Sequence, residues 1–321
     1  MATMAPSVPL RARTFFRNVR GGDQIAYLIT FLFAASILVV TVLLVFELWL
    51  KSRLAIHQFG MSFLWTSVWD PVEGQFGALP FIYGTIITAI LGLAISVPLG
   101  VGAAIFLSEL APPRLSNMLT FLVELLAAVP SVIFGVLGIF ALVPVMRLYV
   151  QPALIRVFGW SPFFKGPSYG VGVLTASLIL AIMVFPYIIS ISREALMQVP
   201  REQREAALAL GATRWEATWD AVVPFARLGI VGSVFLSLAR ALGETMAVTM
   251  VIGNDPHIAS SILAPGYTIA AVIANEFSEA TSDIHQSALV ALGLVLFLIT
   301  IILNGFGQLL LALTAKPGTS K

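Results

Sequence analysis

Six stretches of this chain run for about twenty residues or more with almost no charge, and nothing constrains its fold more. Charged residues bracket them: Asp23 to Glu47, Glu73 to Glu109, Arg114 to Arg147 with Glu124 inside, Lys165 to Arg193, and Asp283 to Lys316. The fifth runs from about Val222 to Ile252 and contains Arg227, Arg240 and Glu244. Only 11% of the 321 residues are charged and 59% are apolar, against roughly 25% charged in soluble globular proteins. So few charges cannot cover a water-soluble surface of this size. The expected fold is all-α, a polytopic membrane protein with six transmembrane helices. Several runs exceed one bilayer thickness and predict tilt, extension beyond the bilayer or broken helices. Pro80, Pro98, Pro130 and Pro186 mark the expected kinks. The first run is too long for the apolar core of a signal peptide, so a retained first helix over 25–50 is expected after a tail over 1–24. An outer loop over 51–77 follows, then a core over 78–315 and a short tail over 316–321.

Basic residues set the expected orientation. With the N-terminus inside, eleven Lys and Arg fall on the cytoplasmic side: Arg11, Arg13, Arg17, Arg20, Arg114, Arg193, Arg201, Arg204, Arg214, Lys316 and Lys321. Five fall outside: Lys51, Arg53, Arg147, Arg156 and Lys165. Both termini are thus expected in the cytoplasm.

Several chemistries drop out. Cysteine is absent, which removes disulfides and thiolate sites, and His57, His257 and His285 fit no metal spacing. No metal site and no catalytic residue is expected. There is no P-loop, so the chain carries no ATP site of its own. Gly100-Val101-Gly102 is followed by Ile105 where a dinucleotide loop needs Gly or Ala. Inside an apolar helix these small residues predict close helix packing instead.

The longest predicted cytoplasmic loop, over 194–221, is the most informative hydrophilic segment. Pro200 suits a helix start, Glu202 and Glu205 its positive end, and Gly211 a stop with φ > 0. A second short helix is expected from Arg214 to Asp220, with Pro224 opening the next span. The result is a helix–turn–helix across the mouth of the bundle, with a small alanine face suited to a groove in a partner.

Glu205-Ala206-Ala207 with Gly211 and Pro224 resembles the EAA signature of ABC-importer permeases. Val223 departs slightly, since leucine often precedes that proline. The resemblance narrows elsewhere to the PstC-type phosphate permeases: Leu107-Ser108-Glu109-Leu110-Ala111-Pro112, Glu124 to Ser131, Arg240 to Val248, and Asn275-Glu276-Phe277. It covers roughly 55 to 305. It implies a type I importer fold and an ATP-driven phosphate transport function in the bacterial cytoplasmic membrane, with this chain forming half of the pathway. Implied partners are a second, PstA-type permease, a PstB-type ATPase dimer that binds ATP and Mg, and an extracytoplasmic PstS-type phosphate-binding protein. Glu205, Ala206, Ala207 and Gly211 are implied in ATPase coupling, and Arg240 and Glu244 in the substrate pathway. The same architecture carrying another oxyanion or solute is an alternative, and so is a secondary transporter, which the EAA element argues against.

Two readings of Arg240 and Glu244 stand on the sequence alone. On one helix, i and i+4 share a face and can pair, locking the bundle. Alternatively Arg240 meets phosphate in transit, with Glu244 competing to keep binding weak. Glu124 likewise either bonds backbone freed by Pro130 or faces the pathway. Arg227 is expected one turn into the fifth span, snorkelling or meeting the ATPase. The last outer loop, Asp255 to Asp283, carries four acids and no Lys or Arg, which disfavours direct capture of free phosphate. Within it Tyr267 to Phe277 is expected to be a short helix.

Overall fold

The computed structural model describes residues 23–314. The tail residues Arg11, Arg13, Arg17, Arg20, Lys316 and Lys321 lie outside them. Among the described residues, six helices are long and apolar enough to cross a membrane: Ala26–Leu64, Leu79–Leu110, Ser131–Phe158, Val173–Met197, Arg214–Leu242 and Asp283–Leu309. This is a multi-pass membrane protein.

Two compact units divide at Lys51 and Ser52. Helix α1 (Asp23–Phe59) runs across that division, and its part in the first unit exposes apolar side chains on every side, from Tyr27 and Phe33 to Leu44 and Phe46. A helix hydrophobic all round belongs in lipid or against other apolar helices. Glu47 pairs with Lys51 one turn on at 3.2 Å.

In the second unit, a two-residue hairpin, β1 (Trp69–Asp70) and β2 (Gln75–Phe76), precedes α2 (Leu79–Ile105). Its turn is held by the Asp70 carboxylate, which accepts from the amides of Val72 and Glu73. Then follow α3 (Pro113–Ala127), α4 (Ser131–Leu137), α5 (Val143–Val145), α6 (Gln151–Phe158) and α7 (Val173–Met197). The loop helix α8 (Arg201–Ala209) leads into α9 (Arg214–Ala217), α10 (Val223–Leu242), α11 (Met246–Ile252), α12 (Ile269–Glu276) and α13 (Asp283–Thr314).

Helices α2 and α7 form the centre. A Cβ on Gly100 would lie 2.7 Å from Ile188 Cγ2, so this glycine allows the approach that its sequence predicts. Gly102 has open space around it and contributes no such contact. The central core gathers Leu93, Ile179, Leu180, Val184 and Ile188 with Phe134, Leu242 and Val251.

The starts of the third and fifth spans, and the kinks, differ from the sequence expectation. The third span starts at Ser131, not near Arg114, because Pro130 ends α3 and starts a new helix. Pro98 and Pro186 sit inside continuous helices and Pro80 opens one. Spans two, three and five are instead loosened by π-type turns at Phe106–Leu110, Gly138–Leu142, Met146–Val150 and Thr218–Val222. The fifth span opens at Arg214 as one piece through Leu242, so Arg227 lies about 20 Å along it rather than one turn in.

Candidate functional site

The loop after α7 folds as a short helix, a glycine turn and a helix start. Gly211 takes φ +91°, a value that costs glycine little and other residues strain. The Ala212 amide bonds the Ala207 carbonyl at 3.2 Å, the wrap-back expected when such a glycine ends a helix. Thr213 then caps the next helix. Its hydroxyl accepts from the Glu216 amide, and the Glu216 carboxylate accepts from the Thr213 amide at 2.7 Å. That reciprocal cap is legible as Thr213-x-x-Glu216, a signal the sequence expectation omits. Glu205 and Ala206 are exposed, Ala207 half-buried and Gly211 exposed; no residue of α8 is buried.

Arg240 and Glu244 do not share a helix. Helix α10 ends at Leu242, Gly243 breaks the chain, and α11 begins at Met246. The expected i, i+4 pair is therefore not formed, and among the described residues neither side chain enters an ion pair. The Glu244 carboxylate instead accepts from the Ala247 amide at 3.2 Å, a free donor at the start of α11. Arg240, exposed in the last turn of α10, lays its guanidinium over the Tyr187 ring, 4.2 Å from the centroid. Stacking occupies the face of the guanidinium and leaves its N–H edge open.

Tyr187 ties this arginine to the Pro130 break. Its hydroxyl donates to the Ala127 carbonyl at 3.1 Å, at the end of α3 where helical partners run out. Tyrosine thus does what Glu124 was a candidate to do. Glu124 lies one turn earlier, exposed, on a cleft of about 380 Å³ between α3 and α7. Thr120, Ser190, Arg193 and Gln198 also line it, so the structure joins Glu124 to a polar seam rather than to the backbone break. Nothing in the local sequence singles out Tyr187, an aromatic residue in an apolar helix.

At the opposite, hairpin end, Trp69 Nε1 donates to Glu276 Oε2 at 2.9 Å and His285 Nε2 lies 3.1 Å from the same oxygen. Phe76 stacks on the His285 ring. Asp255 is bound to His257. Two of the four acids in this loop are thus engaged locally. Thr268 caps α12, which begins at Ile269 and leaves Tyr267 just outside. Burial pushes the Tyr267 phenol up to about 12, so it stays a neutral partner for the Asn275 amide.

A model of the binding-protein-dependent transport system inner membrane component matches residues 96–314. The phosphate transport system permease protein PstC of Mesorhizobium japonicum is 47% identical over 292 residues, 89% of each chain. The PstC 2 protein of Mycobacterium tuberculosis is 34% identical, over 95% of this chain and 96% of its own. The chain belongs to the family of binding-protein-dependent transport permeases.

Solved structures agree on the permease fold. A chain of the MetNI methionine ABC transporter, in inward-facing conformations, aligns with TM-score 0.57 at 15% identity, covering 78% of this permease and all of that chain. A chain of a bacterial alginate ABC transporter aligns with TM-score 0.56 at 15% identity, covering 90% and 96%. As a permease subunit of an ABC importer, the protein works with other components of such a transporter.

Proposed function

We infer that this permease forms half of the phosphate path of an ATP-driven importer, and that Arg240 is the residue that meets the anion. The observation that carries the role of Arg240 is its position: a guanidinium at a helix break, its face on Tyr187, its edge open and, among the described residues, no carboxylate paired with it. A planar fork of donors matches phosphate oxygens two at a time. Relatives named as phosphate transport permeases, 46–48% identical, support the substrate. Glu244, one short break away, lowers the local positive potential without neutralising Arg240, which favours release. The seam between α3 and α7, lined by Ser190, Glu124 and Arg193, is the route we assign beyond Arg240.

The partners follow from the same reading. A PstA-type permease supplies the other half of the path. A PstB-type ATPase dimer binds ATP and Mg and receives the exposed α8 with Glu205, Ala206, Ala207 and Gly211. A PstS-type binding protein delivers phosphate at the hairpin end. Both termini lie in the cytoplasm of a bacterium and the permease in its plasma membrane.

The test is uptake by the full complex in vesicles, with labelled phosphate, sulfate and molybdate compared. Phosphate should be taken up well above the other two. Arg240→Lys, which keeps charge and loses the fork, should transport poorly although assembled. Equal uptake of all three anions, or normal uptake with Arg240→Lys, would overturn the assignment.

A further inference from the structure

The loop helix α8 buries no residue, yet one of its side chains reaches into the rest of the chain at four points. Arg204 Nε donates to Glu109 Oε2 at 3.0 Å and Nη2 to Glu109 Oε1 at 2.8 Å. Nη2 also donates to the Leu196 carbonyl at 2.8 Å, and Nη1 to the Val199 carbonyl. Among the described residues, these are all the side-chain hydrogen bonds that α8 makes with the chain beyond it. The pair is sheltered, with the Arg204 side chain 24% exposed and that of Glu109 10%.

The acceptors belong to two different spans. Glu109 stands in the π-type turn that closes span two, Leu196 in the last turn of α7, which is span four, and Val199 two residues after it ends. Directly beside them, Ala104, Ile105, Leu196, Val199, Val222 and Ala226 form one apolar cluster joining the ends of spans two and four to the body of span five. One guanidinium therefore binds an otherwise lightly held surface helix to a packed joint of spans. A bidentate, sheltered ion pair fixes its geometry, and losing one partner leaves the other charge uncompensated, unlike in an exposed pair.

We propose that Arg204 is the positioning residue through which α8 drives spans two and four as one piece. It rests on the reading of α8 as the element that meets the ATPase. The outward side of α8, with Glu205 and Ala206, would take the push, and Arg204 on its inward side would pass it to Glu109 and the α7 end. Lysine cannot replace it, because one ammonium cannot hold a carboxylate and two carbonyls in a fixed fork.

The experiment uses Ser190→Cys in the assembled transporter, since the permease has no cysteine of its own and Ser190 lines the α3–α7 cleft. Labelling of that position is followed with and without ATP, in the parent and with Arg204→Lys or Glu109→Gln added. ATP should change the labelling rate in the parent by at least about fivefold, the lower end of ordinary coupling between sites. Both variants should assemble and hydrolyse ATP, yet label at one rate with and without it. Persistence of the ATP effect in both variants overturns the proposal. Failure of both to assemble also overturns it, because the pair is then a folding element, and so does an ATP-insensitive parent. If the parent responds to ATP but the transporter with its native Ser190 takes up no phosphate, the substrate assignment is retired and Arg204 keeps its role.

Discussion

Arg240 changes meaning once its neighbours are known. If it only balanced Glu244, removing both charges together would spare the permease, since neither would be left unpaired. No such pair forms. Arg240→Leu combined with Glu244→Leu should therefore lose phosphate uptake in an assembled, ATP-hydrolysing complex, and near-normal uptake would leave a structural role alone. Tyr187 gives a graded companion test. Tyr187→Phe keeps the ring under the guanidinium and loses only the bond to Ala127, so substrate affinity should change little. Tyr187→Leu removes the cation–π contact, worth about 1 kcal/mol, and KM for phosphate should rise about fivefold. A larger effect of phenylalanine than of leucine would contradict this order. The two charges can be picked from the sequence because charge inside an apolar run stands out. Their separation cannot, since an apolar run with one glycine does not state that α10 ends at Leu242 and a new helix starts at Met246.

At the scale of single elements, the loop between spans four and five is the most legible part of the chain. Its sequence asks for φ > 0 at Gly211, which takes +91°. A Cβ at Gly211 would meet nothing within 4 Å, so a substitution acts through backbone strain and not through a clash. Gly211→Val should weaken assembly with the ATPase, or its coupling, while the spans remain inserted; normal ATP-driven uptake would sink that expectation. Thr213→Ala removes the reciprocal cap and should cost the start of span five about 1 kcal/mol, read as faster amide exchange over 214–218. The third and fifth spans depart from expectation for one reason. A mostly apolar run reports what tolerates lipid, not where hydrogen bonding stops, so it merges α3 with the helix after Pro130 and α11 with α10. The expected separation of the Arg214 helix from span five fails the opposite way, because a π-type turn absorbs Thr218–Val222 without ending the helix.

For the whole molecule, orientation is the property that a simple experiment decides. With no native cysteine, Ser278→Cys should react with an impermeant reagent from outside and Thr213→Cys should not; the reverse pattern would invert the assigned topology. What the sequence by itself determined was the solvent the chain lives in, the six spans and the shape of the loop carrying α8. Each depends on local terms, the transfer of apolar side chains from water and the φ preferences of glycine and proline, which a linear string states directly. What only the tertiary structure decided was which residues meet across the fold. Tyr187 holds Arg240 and Ala127 at once, Arg204 finds Glu109, 95 residues earlier, and Trp69 and His285 converge on Glu276. Those contacts are set by how helices pack side by side, through close approaches such as Gly100 on Ile188, and packing depends on the shapes of both partners rather than on the pattern of either one.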